Sequence, residues 1–296
     1  MIVDCEISIG LVRGAYGLPV ALGFALVARH GRYLPLWLPE SGMIAAYSAY
    51  FLLKGIDVPV SLALVLAMVA GCACALIFHY ALFAGHVARN EPFAALLRGI
   101  GLIILLDNTA SLLTGGYSLA FSRLLLPTNH GTLMLGGGVS LALILWAWVN
   151  HTREGLSYRS VAANRQLATQ YGLKVARIDL LVVLVGGGLC SLGGLANGLR
   201  YGLTAEMMST TALKAVAVVV AAGQENLLAV AFSMLAVGVL ESLCQASTRF
   251  SAFESGISYG VLAIGLAIRF LLSPLWKRWS VCKRWRTDTS EPEVTE

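Results

Sequence analysis

Long apolar runs, separated by short polar links, constrain this chain more than any other feature of its sequence. Each run is close to the ~20 residues that a helix needs to cross the hydrocarbon core of a bilayer. Because backbone polar groups inside a bilayer must be paired within the protein, such runs favour helices. The sequence therefore predicts an all-α, polytopic transmembrane bundle of about 8–9 spans. The runs lie at approximately 11–28, 36–53, 58–83, 93–114, 132–150, 177–199, 208–223, 226–245 and 256–273.

The composition supports a membrane environment. Hydrophobic residues make up 57% of the 296 and charged residues 12%, whereas a soluble domain carries about 25% charged residues. We interpret residues 1–296 as a single transmembrane domain. The sequence contains no G-x-x-x-x-G-K-[ST] phosphate loop, and no nucleophile, base and orienting group with a plausible shared site. We therefore predict no catalytic site, no metal site and no cofactor on this chain.

Basic residues predict the orientation of the spans. Cytoplasmic loops carry an excess of lysine and arginine, so residues 152–177 and the tail 274–296 are predicted to be cytoplasmic. Four runs lie between these two segments, and the even number agrees with both placements. Counting backwards places residues 29–32 on the same side. Eleven of the 21 basic residues support this orientation: Arg153, Arg159, Arg165, Lys174, Arg177, Arg269, Lys277, Arg278, Lys283, Arg284 and Arg286.

Two of the runs, 36–53 and 208–223, are short and are interrupted where they begin. In the predicted orientation they cross the membrane in opposite directions. Transporters built from inverted repeats with broken helices show this pattern, although two ordinary loops before two ordinary helices would also explain it. Under the first interpretation, the residues nearest the translocation path are Glu40, Ser41, Glu206, Thr210, Thr211 and Lys214.

Three charged residues fall within the apolar runs or near their ends, namely Asp107, Lys214 and Glu241. Charges deep in a bilayer are costly and often mark a transport pathway. Asp107 and Lys214 could be buried together as a neutral pair. Alternatively, each of the three could lie at the membrane interface.

The segment from Thr152 to Arg177 is the longest polar stretch between spans. Gly155 and Gly172 bracket a run of helix formers, and glycine commonly follows the end of a helix. The spacing predicts a short helix that has Tyr158, Val161, Ala162, Arg165 and Ala168 on one face. Such a helix could enter a groove of a partner protein, or the segment could be a solvated loop. The residues alone leave both interpretations open.

The same segment resembles the branched-chain amino acid ABC transporter permease family, and more distantly the sugar permeases of that superfamily. Further resemblance lies in Gly14–Leu18, in Phe93–Leu97, in Gly193–Ala196 and in Gly238–Ser242. Two segments depart from the family pattern: Pro39–Gly42 and Ala222–Asn226. The matching residues in the polar segment are Thr152, Arg153, Gly155, Arg159, Val161, Ala162, Asn164, Gly172, Val175 and Arg177.

This resemblance implies a transport subunit of the bacterial inner membrane that moves branched-chain or other apolar amino acids. It implies cytoplasmic ABC ATPase subunits that bind ATP and Mg²⁺, a second permease subunit and a periplasmic solute-binding protein. It also implies that 152–177 is a segment that couples the permease to the ATPase. The alternative from another class is an ion-coupled carrier or a passive channel. The expected coupling residues are Arg153, Glu154, Gly155, Tyr158, Arg159, Val161, Ala162, Asn164 and Gly172.

Overall fold

The computed structural model describes residues 2–55, 59–83, 92–121, 130–246 and 260. These residues form helices and contain no strand, although Leu119 and Leu203 make an isolated antiparallel bridge. A π-helical turn, His79–Phe83, extends the third helix. The helices are α1 Ile2–Gly31, α2 Glu40–Gly55, α3 Val60–Phe78, α4 Pro92–Thr114, α5 His130–His151, α6 Arg153–Ala163, α7 Arg165–Gln170, α8 Val175–Tyr201, α9 Met207–Ala222 and α10 Leu227–Ala246.

Six helical stretches of the described chain are long and apolar enough to cross a membrane: Glu6–Gly31, Val60–Leu82, Phe93–Thr114, Gly131–His151, Val175–Tyr201 and Leu227–Gln245. Together with α2 and α9, they match the first eight predicted runs. The two runs predicted to be short are indeed helices of 16 residues each, or about 24 Å. The ninth run, apart from residue 260, and the tail 274–296 lie outside the described residues.

Helices α1 and α8 form the centre of the bundle. Helix α1 packs against α5, α8, α9 and α10. Glycines bring these backbones together: a Cβ atom on Gly238 of α10 would lie 2.4 Å from the backbone nitrogen of Gly14 in α1. Close backbone approach of this kind is how helices associate in lipid, where van der Waals contact replaces the hydrophobic effect.

Contacts along α1 define two ends of the bundle. At one end, the Arg29 side chain donates to the carbonyl of Glu225, between α9 and α10. At the other end, the side-chain amide of Asn197 donates to the carbonyl of Tyr16 at 3.3 Å. We call the first, which includes 29–33 and 152–177, the basic end, and the second the opposite end. Residues 29–32 thus lie on the same side as the segment 152–177, as the charge pattern predicted.

The two short helices run in opposite directions. Helix α2 begins in the middle of the bundle, where a Cβ atom on Gly42 would lie 2.4 Å from the carbonyl of Cys190, and continues towards the opposite end. Helix α9 starts at the opposite end, after Gly202 turns the chain with a φ of 85°, and runs to the basic end. The opposite directions agree with the inverted-repeat interpretation, although the two helices start at different depths.

Candidate translocation cavity and coupling segment

Helices α1, α8, α9 and α10 enclose a cavity of about 300 Å³ at the opposite end. Glycines at positions 14, 17 and 238 border the cavity, and each packs closely against the neighbouring helix, α1 against α10. Methionine and valine side chains form an apolar wall, and hydroxyl, amide and charged groups line the remainder. The polar lining consists of Arg13, Asn197, Thr204, Thr210, Thr211, Lys214 and Glu241.

Two of the charged groups in this cavity, Lys214 and Glu241, form an ion pair. The Lys214 ammonium lies 2.9 Å from the Glu241 carboxylate. The Glu241 side chain is only 2% exposed, while that of Lys214 is 28% exposed. Lys214 therefore pairs with Glu241, and the Asp107–Lys214 pair considered from the sequence is not formed. With Arg13, the cavity carries two cations and one carboxylate.

The predicted path residues separate into three groups. Thr210, Thr211 and Lys214 line the cavity. Glu206 is exposed at the start of α9 and is outside the lining. Glu40 and Ser41 are fully buried away from the cavity, and neither Glu40 oxygen has a hydrogen-bond partner among the described residues.

Sequence reasoning missed three groups that contribute to the cavity: Arg13, Asn197 and Thr204. The small residues Gly14 and Gly17 beside Arg13 are the sequence signal that could have found this face of α1. Asn197 carries a weaker signal, since it is an amide within an otherwise apolar run.

The segment 152–177, which the resemblance predicts to couple the permease to an ATPase, consists of two helices rather than one. Thr152 caps α6, since its hydroxyl accepts from the backbone nitrogen of Gly155 at 3.0 Å. Gly155 therefore lies inside the first turn of α6. Asn164 is extended, with φ −156° and ψ 105°, and its side chain caps α7. The prediction of a single helix was wrong, because Asn164 ends one helix and caps the start of the next. Gly172 has a φ of 79° and follows α7, which confirms it as a stop signal.

A second correction concerns the shared face of this segment. Tyr158, Val161 and Ala168 are 1%, 2% and 4% exposed and pack against the protein's own bundle. This face therefore cannot be the one that enters a groove of a partner. Large apolar side chains are exposed elsewhere on the segment: Leu156 at 58%, Leu167 at 48% and Tyr171 at 85%. We call these three residues the outer patch.

The other expected coupling residues are distributed around the same two helices. Gly155 is buried. It packs so closely on the end of α5 that a Cβ atom there would lie 2.3 Å from the carbonyl oxygen of Trp148. Arg159 and Ala162 are half-buried. Arg153, Glu154, Asn164 and Gly172 are exposed and remain accessible to a partner.

Helix α6 is attached to the end of α1. The Tyr158 hydroxyl donates to the carbonyl of Leu26 at 2.9 Å. Burial raises the pKa of Tyr158 above its ordinary value, so this donor keeps its proton. Its ring stacks on His30, with 5.8 Å between centroids. The Arg32 guanidinium donates to the carbonyls of Ala162, at 3.2 Å, and Ala163.

Helix α7 is attached to the start of α8. Both guanidinium nitrogens of Arg165 donate to the Asp179 carboxylate, one of them at 3.0 Å. The same carboxylate lies 2.5 Å from the His30 Nε2 atom. Bidentate arginine–carboxylate pairs are strong and fix geometry. The Asp179 carboxylate thus joins α7, α8 and α1. Sequence reasoning missed His30, Arg32 and Asp179, because their pairing spans more than 100 residues of chain.

Six membrane-length helices, a polar cavity between them and a helical segment attached at the basic end define a multi-pass membrane transport protein. The family model for the permease component of branched-chain amino acid transport systems matches residues 7–270. The chain belongs to this family of permeases. No curated protein matches the chain.

Proposed function

We propose that this permease is the membrane-spanning subunit of an ABC importer in a bacterial inner membrane. Cytoplasmic ABC ATPase subunits bind ATP with Mg²⁺ and drive the cycle. A second permease subunit completes the pathway, and a periplasmic solute-binding protein delivers the solute. The chain itself provides passage and coupling, without a catalytic site or a cofactor of its own. The family to which the chain belongs supports this assignment.

The substrates we propose are branched-chain or other apolar amino acids. Such a solute carries a carboxylate, an ammonium group and an apolar side chain. The cavity presents matching groups: Lys214 and Arg13 for the carboxylate, Glu241 for the ammonium group, and Met234 and Val237 for the side chain. Its volume of about 300 Å³ suits a solute of this size.

The observation that carries the proposal is the attachment of the coupling segment to α1. Tyr158 and Arg32 connect α6 to the end of α1 at the basic end. Helix α1 is continuous for 30 residues, and Arg13, in its first half, lines the cavity. A force applied to α6 therefore reaches the cavity through one helix. The outer patch of Leu156, Leu167 and Tyr171 is the surface on which the ATPase applies that force.

The outer patch can be tested with a matched pair of variants. Tyr171→Asp places a charge on the patch, whereas Tyr117→Asp changes a similarly exposed tyrosine at the opposite end, where Tyr117 is 78% exposed. Both variants should accumulate in the membrane like the parent. The Tyr171 variant should lose its ATPase subunits on co-purification and lose ATP-driven uptake. The Tyr117 variant should keep both. Equal ATPase retention in the two variants would remove the patch from the proposal.

Glu40 supports one rival function, that of an ion-coupled carrier. Its carboxyl group is fully buried at the first break and lacks a hydrogen-bond partner among the described residues. Ion-coupled carriers place ionisable groups at broken helices. Uptake by proteoliposomes that contain the permease without ATPase subunits separates the two functions. An ion gradient that alone drives uptake would favour the carrier.

A further inference from the structure

A second cavity, of about 520 Å³, lies at the basic end between α6 and the start of α8. It is separate from the translocation cavity and shares none of its lining residues. Trp148, Ser157 and Tyr158 line one side, and the first two turns of α8 line the other. Nothing in the proposed transport cycle uses this space.

The lining changes character along α8. Lys174 and Arg177 line the cavity and are exposed, and their side chains make no hydrogen bond or ion pair among the described residues. Deeper in the cavity, the lining is formed by Ile178, Leu181 and Val182. A helix rises 1.5 Å per residue, so the distance from Lys174 to Val182 is about 12 Å along the axis.

This gradient coincides with the boundary of the membrane. The apolar span of α8 begins at Val175, and taking this start as the membrane boundary places Lys174 and Arg177 within about one helical turn of the lipid headgroups. Val182 then lies at the depth of the acyl chains. A cavity that is cationic at headgroup level and apolar beneath it complements an amphiphile with an anionic head.

We infer that this cavity binds an anionic phospholipid, with its phosphate on Lys174 and Arg177 and the upper part of an acyl chain along Ile178 and Leu181. Basic pockets between transmembrane helices at a membrane surface select anionic headgroups. Glu154 is the one acidic residue in the lining, so the two cations leave the mouth with a net positive charge. A soluble anion would make no contact with the apolar floor of the cavity. A cytoplasmic protein would not reach that floor, which lies below the headgroup level.

The bound lipid bridges the coupling segment and α8. Ser157 and Tyr158 belong to α6, whereas Lys174 and Arg177 stand at the start of α8. The lipid adds a link between these two elements beside the protein contacts of Asp179. Its loss is therefore expected to loosen α6 more than the centre of the bundle.

The test uses the full-length permease in detergent, titrated with dioleoylphosphatidylglycerol or dioleoylphosphatidylcholine and followed by native mass spectrometry. The parent should prefer the anionic lipid. Lys174→Gln and Arg177→Gln should each weaken that preference by about fivefold. Leu181→Trp should fill the apolar floor and weaken binding of both lipids.

Arg153→Gln is the matched control, because Arg153 is an exposed arginine of the same segment that does not line the cavity. It should leave the preference unchanged. Three results would overturn the inference. These are an equal effect of the control, displacement of the lipid by millimolar inorganic phosphate, and occupation of the cavity by a second protein chain. A second chain would appear as an oligomer that Leu181→Trp dissociates.

Discussion

The two breaks in the helical pattern look alike in sequence and differ in packing. At the first break, Trp37, Leu38 and Glu40 are fully buried, and the start of α2 presses on the backbone of α8. At the second, Thr204 and Glu206 are exposed, and the following helix borders the translocation cavity. Related topology therefore does not give related roles. The first break fixes the position of α2, and the second borders the cavity that we propose as the solute path.

The largest effect is expected at the tight contact of the first break. A Cβ atom on Gly194 of α8 would lie 2.2 Å from the carbonyl oxygen of Gly42, which is backbone and cannot move aside. Gly194→Val should destabilise the permease by about 3 kcal/mol or more. Gly136→Val is the control, because nothing lies within 4 Å of a Cβ atom there. Thermal unfolding in detergent should show a large fall in Tm for the first variant only. A similar Tm for both would mean that the break is not tightly packed.

An intermediate effect is expected from the ion pair beside the second break. Lys214→Met removes the ammonium partner of the buried Glu241 carboxylate. Stability should fall by about 1–3 kcal/mol, less than for a fully buried pair because Lys214 is partly exposed. Uptake should fall by about 10–100-fold, the value of a lost hydrogen bond to a charged group.

A double variant separates the structural and transport roles of this pair. Lys214→Met combined with Glu241→Gln removes both charges together, so the stability of the parent should largely return. Uptake should remain low, because the groups that recognise the solute are still absent. Recovery of uptake in the double variant would make the pair a structural one and would erase the distinction between the two breaks.

The sequence predicted the helices better than their contacts. Run length identified the six helices of membrane length and the two shorter ones, and glycine preference identified the helix stop at Gly172, because these depend on local composition and on the bilayer. The break at Asn164 was missed, since an asparagine can be part of a helix or cap one. The inward face of Tyr158 was also missed, because helical periodicity shows which residues share a face and not what covers that face.

The cavity shows the same limit at longer range. The pairing of Lys214 with Glu241 depends on how α9 and α10 pack, which a single sequence does not reveal. Glu40 and Glu206 were grouped because both follow a break. They differ in the depth at which the following helix starts: Glu40 lies at mid-bundle, and Glu206 lies at the surface.

The smallest effects are expected from two hydroxyl groups, one at each break. Ser41 is fully buried, and its hydroxyl donates to the carbonyl of Leu38 at 2.8 Å. Ser41→Ala should lower stability by about 1 kcal/mol and leave uptake per folded permease unchanged. Thr210 lines the cavity and is exposed, and within the described part of the chain its hydroxyl donates only to the nearby carbonyl of Met207. Thr210→Val keeps the shape of the side chain and should leave Tm unchanged.

The Thr210 variant should instead lower uptake by about 2–10-fold, the value of one neutral hydrogen bond to the solute. Uptake of a labelled apolar amino acid, divided by the amount of folded permease, measures both variants on one scale. Opposite responses, with stability changed at Ser41 and transport changed at Thr210, would confirm that only the second break faces the solute. If Ser41→Ala lowered uptake per folded permease as much as Thr210→Val, the first break would also belong to the path. Its burial would then describe a closed state of that path.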